Sequence, residues 1–340
     1  MSASLIDIAA RAGVSIATVS RALNGKDGVK SETRERILTI AQELQHTVPF
    51  ALRGTATART ATICYAVNQL HSPVEDDPFY PIIMRGVEEE LANHGYHLLL
   101  TTVNSEQVTS VETFKPVAEG RVDGVILAGP DISSEFIGEL KQIGVPIVLI
   151  DNNLSGTTID SVNIDDLQGS QWATEHLLAH GHSSIVALLG PETWFSSARR
   201  GFGYQLAMQQ AKLTPHIFRA ADTTPETGKA LIQEALAIVP GLTAVFTAND
   251  AVAFGAIRWL QQNQLRVPED VTVIGYDDTL YSSLSSPTLT TMRIFKRELG
   301  MLAARRMLTI LAEADLEERH PVQTLLASEL VLRHSCGCKE

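Results

Sequence analysis

The chain has 340 residues, 44% hydrophobic and 19% charged, with a formal net charge of −12 and three cysteines. That length holds one small and one or two ordinary domains. The acidity excludes a protein that coats nucleic acid over its whole surface, and three cysteines exclude a disulfide-built scaffold. No uninterrupted apolar run approaches about 18 residues, which points to a cytoplasmic protein rather than a membrane one. The charge is uneven. Residues 1–60 carry eight Lys and Arg against five Asp and Glu, so the head is +3 and residues 61–340 are −15. A basic head on an acidic body suits a head that meets a polyanion.

Residues 4–45 read as three short helices. Leu5, Ile8, Ala9 and Ala12 make one apolar stripe, with Ser4 and Asp7 spaced as a capping box. Gly13 stops this helix, and Ser15 is placed to cap the next, in which Val19, Ala22 and Leu23 form a thin apolar edge. Ile37, Ile40, Ala41 and Leu44 share a face of the third. Two helices joined by a tight turn, with a third in support, is the helix-turn-helix plan. Such a unit sets its second helix in the major groove of DNA. Ile16 and Ala17 are then placed for thymine methyls or base edges, Arg21 for guanine, and Ser15, Thr18, Ser20 and Asn24 for backbone or polar contacts. An ordinary helical hairpin shows the same edge; the local basic charge and a detached linker favour the DNA reading. Residues 46–61, "HTVPFALRGTATARTA", are that linker.

From residue 62 apolar strand-like runs alternate with amphipathic helical runs. "TICYAV", "YHLLLTTV", "VDGVILAG" and "VPIVLID" form one block, and "SIVALLG", "HIFRAAD", "TAVFTAN" and "VTVIGYDD" a second. The alternation implies two doubly wound parallel sheets. Ligands bind such sheets beyond the carboxyl ends of the strands. Asp151, Asn249 with Asp250, and Asp277 with Asp278 stand at those ends, with Arg200 in an adjacent segment. Together they suit the bracketing of neighbouring hydroxyls, as on a sugar; singly, each reads as a helix cap or a loop carboxylate.

Other constellations carry less. His176, His180 and His182 in "EHLLAHGH" include an i, i+4 pair, but an exposed helix end explains them, and no metal is assigned. Cys336 and Cys338 are left without a role. Glu75, Asp76 and Asp77 lack calcium-loop spacing, and "GKDGVKS" is not a phosphate loop. No Gly-x-Ser-x-Gly elbow or dinucleotide fingerprint appears, so neither an enzyme nor a cofactor is expected.

"LIDIAARAGVSIATVSRALNG" resembles the headpiece of the lactose/galactose repressor (LacI/GalR) family of bacterial transcription regulators. "DPFYPIIMRGVEEELANHGYHLLL", "ATEHLLAHGHSSIVALLGP", "SARRGFGYQLAM", "TAVFTANDAVAFGAIRWL" and "RVPEDVTVIGYDDT" resemble its core, in order. The resemblance implies an all-α helix-turn-helix headpiece (1–45), a hinge (46–61) and a periplasmic-binding-protein-like effector and dimerisation core (62–340). Its first lobe is expected at about 62–158 and 292–319, its second at about 159–291 and 320–335. The resemblance further implies operator DNA, a small sugar-like effector and a second copy of the chain as partners, with no cofactor. Asp151, Arg200 (of "RGFGY"), Asn249 and Asp277 match effector-contacting positions, and Pro78, Phe79 and Tyr80 a loop lining the cleft.

This sequence departs from the family pattern in three places. Thr223 stands after Asp222 where sugar-binding relatives carry an aromatic, which leaves Trp194 or Phe195 as the stacking wall. "VPFALRG" is the nearest match to the hinge motif, with Leu52 as the minor-groove wedge only if the alignment is gapped. No leucine heptads follow "SELVLRHSC", which argues against a coiled-coil tetramer. Two rival classes fit less well: a solute receptor has no use for residues 1–60, and a nucleotide-dependent enzyme needs a phosphate loop.

Overall fold

The computed structural model describes residues 5–23, 28–44, 60–68, 79–104, 110–153, 159–313 and 320–338. Three helices open it: α1 (Leu5–Ala12), α2 (Ile16–Leu23) and α3 (Ser31–Glu43). Their apolar edges meet in one small cluster of Ile8, Ala9, Ala12, Val19, Ala22, Leu23, Ile37, Leu38 and Ala41. Gly13 takes φ +65 between α1 and α2, a left-handed turn that a side chain would strain. Ser15 caps α2: its Oγ accepts from the Thr18 amide at 3.1 Å. Ser4, the first half of the expected capping box, and Asn24 lie outside the described residues, as do Leu52 and most of the hinge.

The core begins with β1 (Thr62–Asn68), α4 (Tyr80–Asn93), β2 (His97–Val103), α5 (Lys115–Ala118), β3 (Gly124–Ala128), α6 (Ser134–Gln142), β4 (Ile147–Ile150) and β5 (Ser161–Ile164). It continues with α7 (Asp166–Ala179), β6 (Ile185–Leu189), α8 (Phe195–Gln210), β7 (His216–Arg219), α9 (Pro225–Ile238) and β8 (Ala244–Thr247). Then follow α10 (Asp250–Gln262), β9 (Thr272–Asp277), α11 (Leu280–Leu284), β10 (Thr290–Arg293), α12 (Lys296–Ala312), β11 (Gln323–Leu326), β12 (Glu329–Val331) and a 3-10 turn at His334–Cys336. The strands form two six-stranded sheets, ordered β11-β5-β4-β3-β1-β2 and β12-β10-β9-β8-β6-β7. All pairings are parallel except β12 on β10. β3, β4, β6, β8 and β9 are buried along their whole length, as helices on both faces of a parallel sheet require.

The lobe boundaries differ from the sequence reading. β5 pairs with β4, Leu149 opposite Ser161, so the first lobe runs past 158 to about 164. β10 pairs with β9 and stays in the second lobe, while β11 pairs with β5 and returns to the first. The chain therefore crosses between the sheets three times: after β5, after β10, and between β11 and β12. "SVNI" is four residues with two polar members, too short and too mixed to show as a buried strand in sequence. Where the linker enters the core, the Asp123 carboxylate accepts from the Thr60 amide, the Thr60 hydroxyl and the Ala61 amide, each at 2.9 Å.

Candidate functional site

The outward face of α2 carries the residues the sequence assigns to DNA. Ser15, Ile16, Ala17 and Arg21 are exposed, and Thr18 and Ser20 are half-buried. Ile16 is 47% exposed although large and apolar, while Val19, Ala22 and Leu23 are buried beneath it. The helix thus spends three side chains on its own support and presents the rest outward.

In the core, charge is buried at the carboxyl ends of the strands. Asp166 is the first residue of α7; the preceding Asp165 caps the helix by accepting from the Gln168 amide. α8 packs against α7, and a side chain at Gly203 would stand 2.1 Å from the Leu167 carbonyl oxygen. One helical turn before Gly203, Arg200 is thereby brought to Asp166, its Nε donating to Oδ1 at 2.8 Å. Its Nη1 donates to the Ala248 carbonyl, its Nη2 lies 3.8 Å from Asp277 Oδ1, and its guanidinium stacks 3.8 Å over the Tyr276 ring. Tyr204, the last residue of "RGFGY", is structural: its hydroxyl donates to the Ile185 carbonyl and accepts from the His216 amide. Asp151, just beyond β4 of the first lobe, accepts from the Tyr80 hydroxyl at 3.0 Å and from Ser196 at the start of α8. It therefore joins the two lobes.

Lys296, at the start of α12, donates to the Asp277 carbonyl and lies 5.6 Å from the Phe79 ring centroid. Burial pushes the Asp277 carboxyl up to about 8, against the opposing pull of Arg200 and Lys296. Burial and the neighbouring Asp166 raise Asp151 to about 6. Burial likewise raises Asp166, although Arg200 opposes it. The backbone is strained here as well: Asp151, Asp277 and Asp278 have φ of 52, 108 and 47.

The structure brings Asp151, Arg200, Asp277 and Phe79 into this cluster and gives the other strand-end residues different partners. Asn249 caps α10 by accepting from the Val252 amide at 2.9 Å, and its amide nitrogen donates to the Thr223 carbonyl. Asp250 is held by the Thr279 amide and the Ser282 and Thr291 hydroxyls, and Asp278 by Arg293 and Arg333. Trp194 is buried beside Thr223: a side chain at Gly190 would meet Thr223 Cγ2 at 2.8 Å and the Trp194 ring at 3.5 Å. Pro78 lies outside the described residues. Sequence reasoning missed Asp166, Tyr276 and Lys296. Asp166 follows a strand, which was a usable signal. Lys296 reaches the cluster only because the chain crosses back between the lobes, and nothing local marks it.

A small three-helix unit with an open second helix, ahead of two sheets that converge on a buried polar cluster, is the build of a ligand-responsive DNA-binding protein. Residues 4–48 match the family model described as bacterial regulatory proteins, lacI family, and residues 174–336 a periplasmic binding protein-like domain. The chain is 31% identical over 339 residues to the HTH-type transcriptional regulator RegA of Clostridium saccharobutylicum, covering 98% of this chain and 99% of that one. A solved complex of the transcriptional regulator CelR with cellobiose matches with a TM-score of 0.75 and 30% identity, over 98% of this chain and 99% of the other. The lac repressor dimer bound to operator and the anti-inducer ONPF matches with a TM-score of 0.70 and 28% identity, over 99% of both chains. The chain belongs to the lacI family of bacterial regulatory proteins. It is a DNA-binding transcriptional regulator and not an enzyme. No helix among the described residues is long and apolar enough to cross a membrane.

Proposed function

We propose that this regulator is a cytoplasmic homodimeric repressor of carbohydrate-metabolism genes, released from its operator by a neutral sugar-like effector. The observation that carries the effector class is the state of the cations in the cluster. All three guanidinium nitrogens of Arg200 face protein oxygens, and the Lys296 ammonium donates to the Asp277 carbonyl. The carboxyl groups of Asp151 and Asp277 retain hydrogen-bonding capacity, since a carboxyl accepts when ionised and both accepts and donates when protonated. Such a site welcomes ligand hydroxyls as donors and disfavours phosphate or carboxylate ligands. Asp151 and Asp277 take hydroxyls from opposite lobes, Arg200 orients Asp277 and Asp166, Tyr80 and Ser196 orient Asp151, and Phe79 and Trp194 form apolar walls beside Asn249, which caps α10.

At the head, Ile16, Ala17 and Arg21 read base edges, and Ser15, Thr18, Ser20 and Asn24 contact the backbone; Leu52 is the hinge wedge. Two heads read the halves of a pseudo-palindrome. Leu280, Tyr281 and Leu284 are 72, 61 and 69% exposed on α11, an apolar patch that suits contact with a second copy. The cellobiose named for the CelR complex and the operator named for the lac repressor dimer support the same assignment.

The test is a thermal-shift screen of the purified chain against neutral sugars, sugar acids and sugar phosphates. It is followed by binding to DNA selected from a random pool, with and without the best ligand. A neutral sugar that stabilises the protein and weakens operator binding is the expected result; at about 100 times its dissociation constant it adds about 2.7 kcal/mol. A sugar phosphate as the best ligand overturns the effector class, and a sugar that tightens operator binding makes it a corepressor.

A further inference from the structure

α7 has functional groups at both ends. Its first residue, Asp166, belongs to the polar cluster, and its C-terminal turn carries His176 and His180, one turn apart. Read from sequence, these histidines are an exposed helix end and the Cys-Gly-Cys pair is unassigned; the structure places the two features against each other. His176 Nε2 lies 3.2 Å from Cys338 Sγ, and His180 Nε2 lies 3.4 Å from the same sulfur. The ligating atoms of His176, Cys336 and Cys338 all fall within 4.8 Å of one another.

Tetrahedral zinc with ordinary Zn–N and Zn–S lengths sets N and S ligands about 3.6 Å apart. The two His–Cys338 separations are close to that value; His180 Nε2 stands beside Cys338 but outside the set of His176, Cys336 and Cys338, and has the furthest to move to complete a tetrahedron. The ligands are also preorganised. His180 Nδ1 is bonded to the His176 carbonyl at 2.8 Å, which leaves its Nε2 lone pair facing the sulfur. The tail is fastened to the second sheet at Ser335. Ser335 donates to the Val273 carbonyl and accepts from the Thr290 amide, and its own amide donates to the Thr288 carbonyl. Gly337, at φ +73, reverses the chain and so sets Cys338 back toward the helix. His182 is not part of the set, since its Nδ1 faces Thr243 Oγ1 at 3.0 Å.

We infer that His176, His180, Cys336 and Cys338 form a structural zinc site that fastens the C-terminal turn to the end of α7. Two imidazoles and two thiols are a borderline-soft set suited to zinc, and four protein ligands leave no open position for chemistry. The site is distinct from the effector cluster, lying at the other end of a 14-residue helix.

The test uses the full chain without added histidines, reduced and stripped of metal with a chelator. Cobalt(II) is expected to bind one per chain, with intense visible bands of tetrahedral geometry and a near-ultraviolet thiolate-to-cobalt band. Zinc is expected to erase both signals and to protect the two tail thiols from Ellman's reagent. Cys336→Ser/Cys338→Ser removes the charge-transfer band, His176→Gln weakens zinc by more than about tenfold, and Cys64→Ala leaves the spectrum unchanged. An octahedral cobalt spectrum, or the same spectrum from the double cysteine variant, overturns the site. Circular dichroism of each variant separates loss of metal from loss of fold.

Discussion

The headpiece and the buried polar cluster solve opposite problems. The headpiece keeps its working side chains in water and uses a small apolar cluster only to aim them. The core buries its working charges and must satisfy each one within the protein. Arg200 and Asp277 are 8 and 9% exposed, and both are held by partners from several elements. In the headpiece a local pattern suffices, because one helix face does the work. In the core no single element contains the site, so a change at one residue leaves another group buried without its partner.

This contrast predicts effects of falling size. Arg200→Ala leaves Asp166 and Asp277 buried without their guanidinium; loss of one partner from a buried pair costs about 3–5 kcal/mol. Chemical denaturation should show that loss in the core transition, and the effector response should vanish. A stable variant that still responds would break the contrast. Arg21→Ala should cost about 1–3 kcal/mol on the selected operator and little in stability. Anisotropy titrations on operator and random DNA distinguish this from an equal loss on both, which would make Arg21 a phosphate contact. Ser15→Ala should cost about 1 kcal/mol of headpiece stability through the lost cap, measured by melting of the headpiece signal.

The contrast also predicts a slope with pH. Asp277 is raised to about 8 and Asp151 to about 6, so the folded state holds more protons than the unfolded one between about pH 4 and 8. Their contribution is fully present below about pH 4 and is lost as pH rises through 6 and then 8. The melting temperature of the ligand-free protein should therefore fall from pH 5.5 to 8.5, and Asp277→Asn should flatten the upper part of that fall. An unchanged slope in the variant would assign the titration elsewhere.

The same contrast explains what was legible in the sequence. Ile8, Val19, Leu23 and Ile37 recur at helical spacing and form the headpiece core as read. The long apolar strands declared two sheets, because parallel strands are buried on both faces. β5, β11 and β12 did not, since they are short and mixed in polarity and owe their place to pairing partners far along the chain. Asp151 and Asp277 were read from their position beyond strand ends and Arg200 from an adjacent segment, and the structure brings all three into one cluster; Asn249, read by the strand-end rule, caps α10 and bonds Thr223. Lys296 was invisible, because its role depends on a crossover between lobes.

The left-handed backbone at Asp151, Asp277 and Asp278 has an evolutionary corollary. Non-glycine residues in such conformations cost about 1–3 kcal/mol each. Glycine would relieve that cost at 277 and remove a buried carboxyl at the same time, so drift toward thermal robustness alone should erode this corner of the protein. A library of the chain screened only for heat resistance is expected to enrich Asp277→Gly, and the enriched clones to have lost their response to the effector.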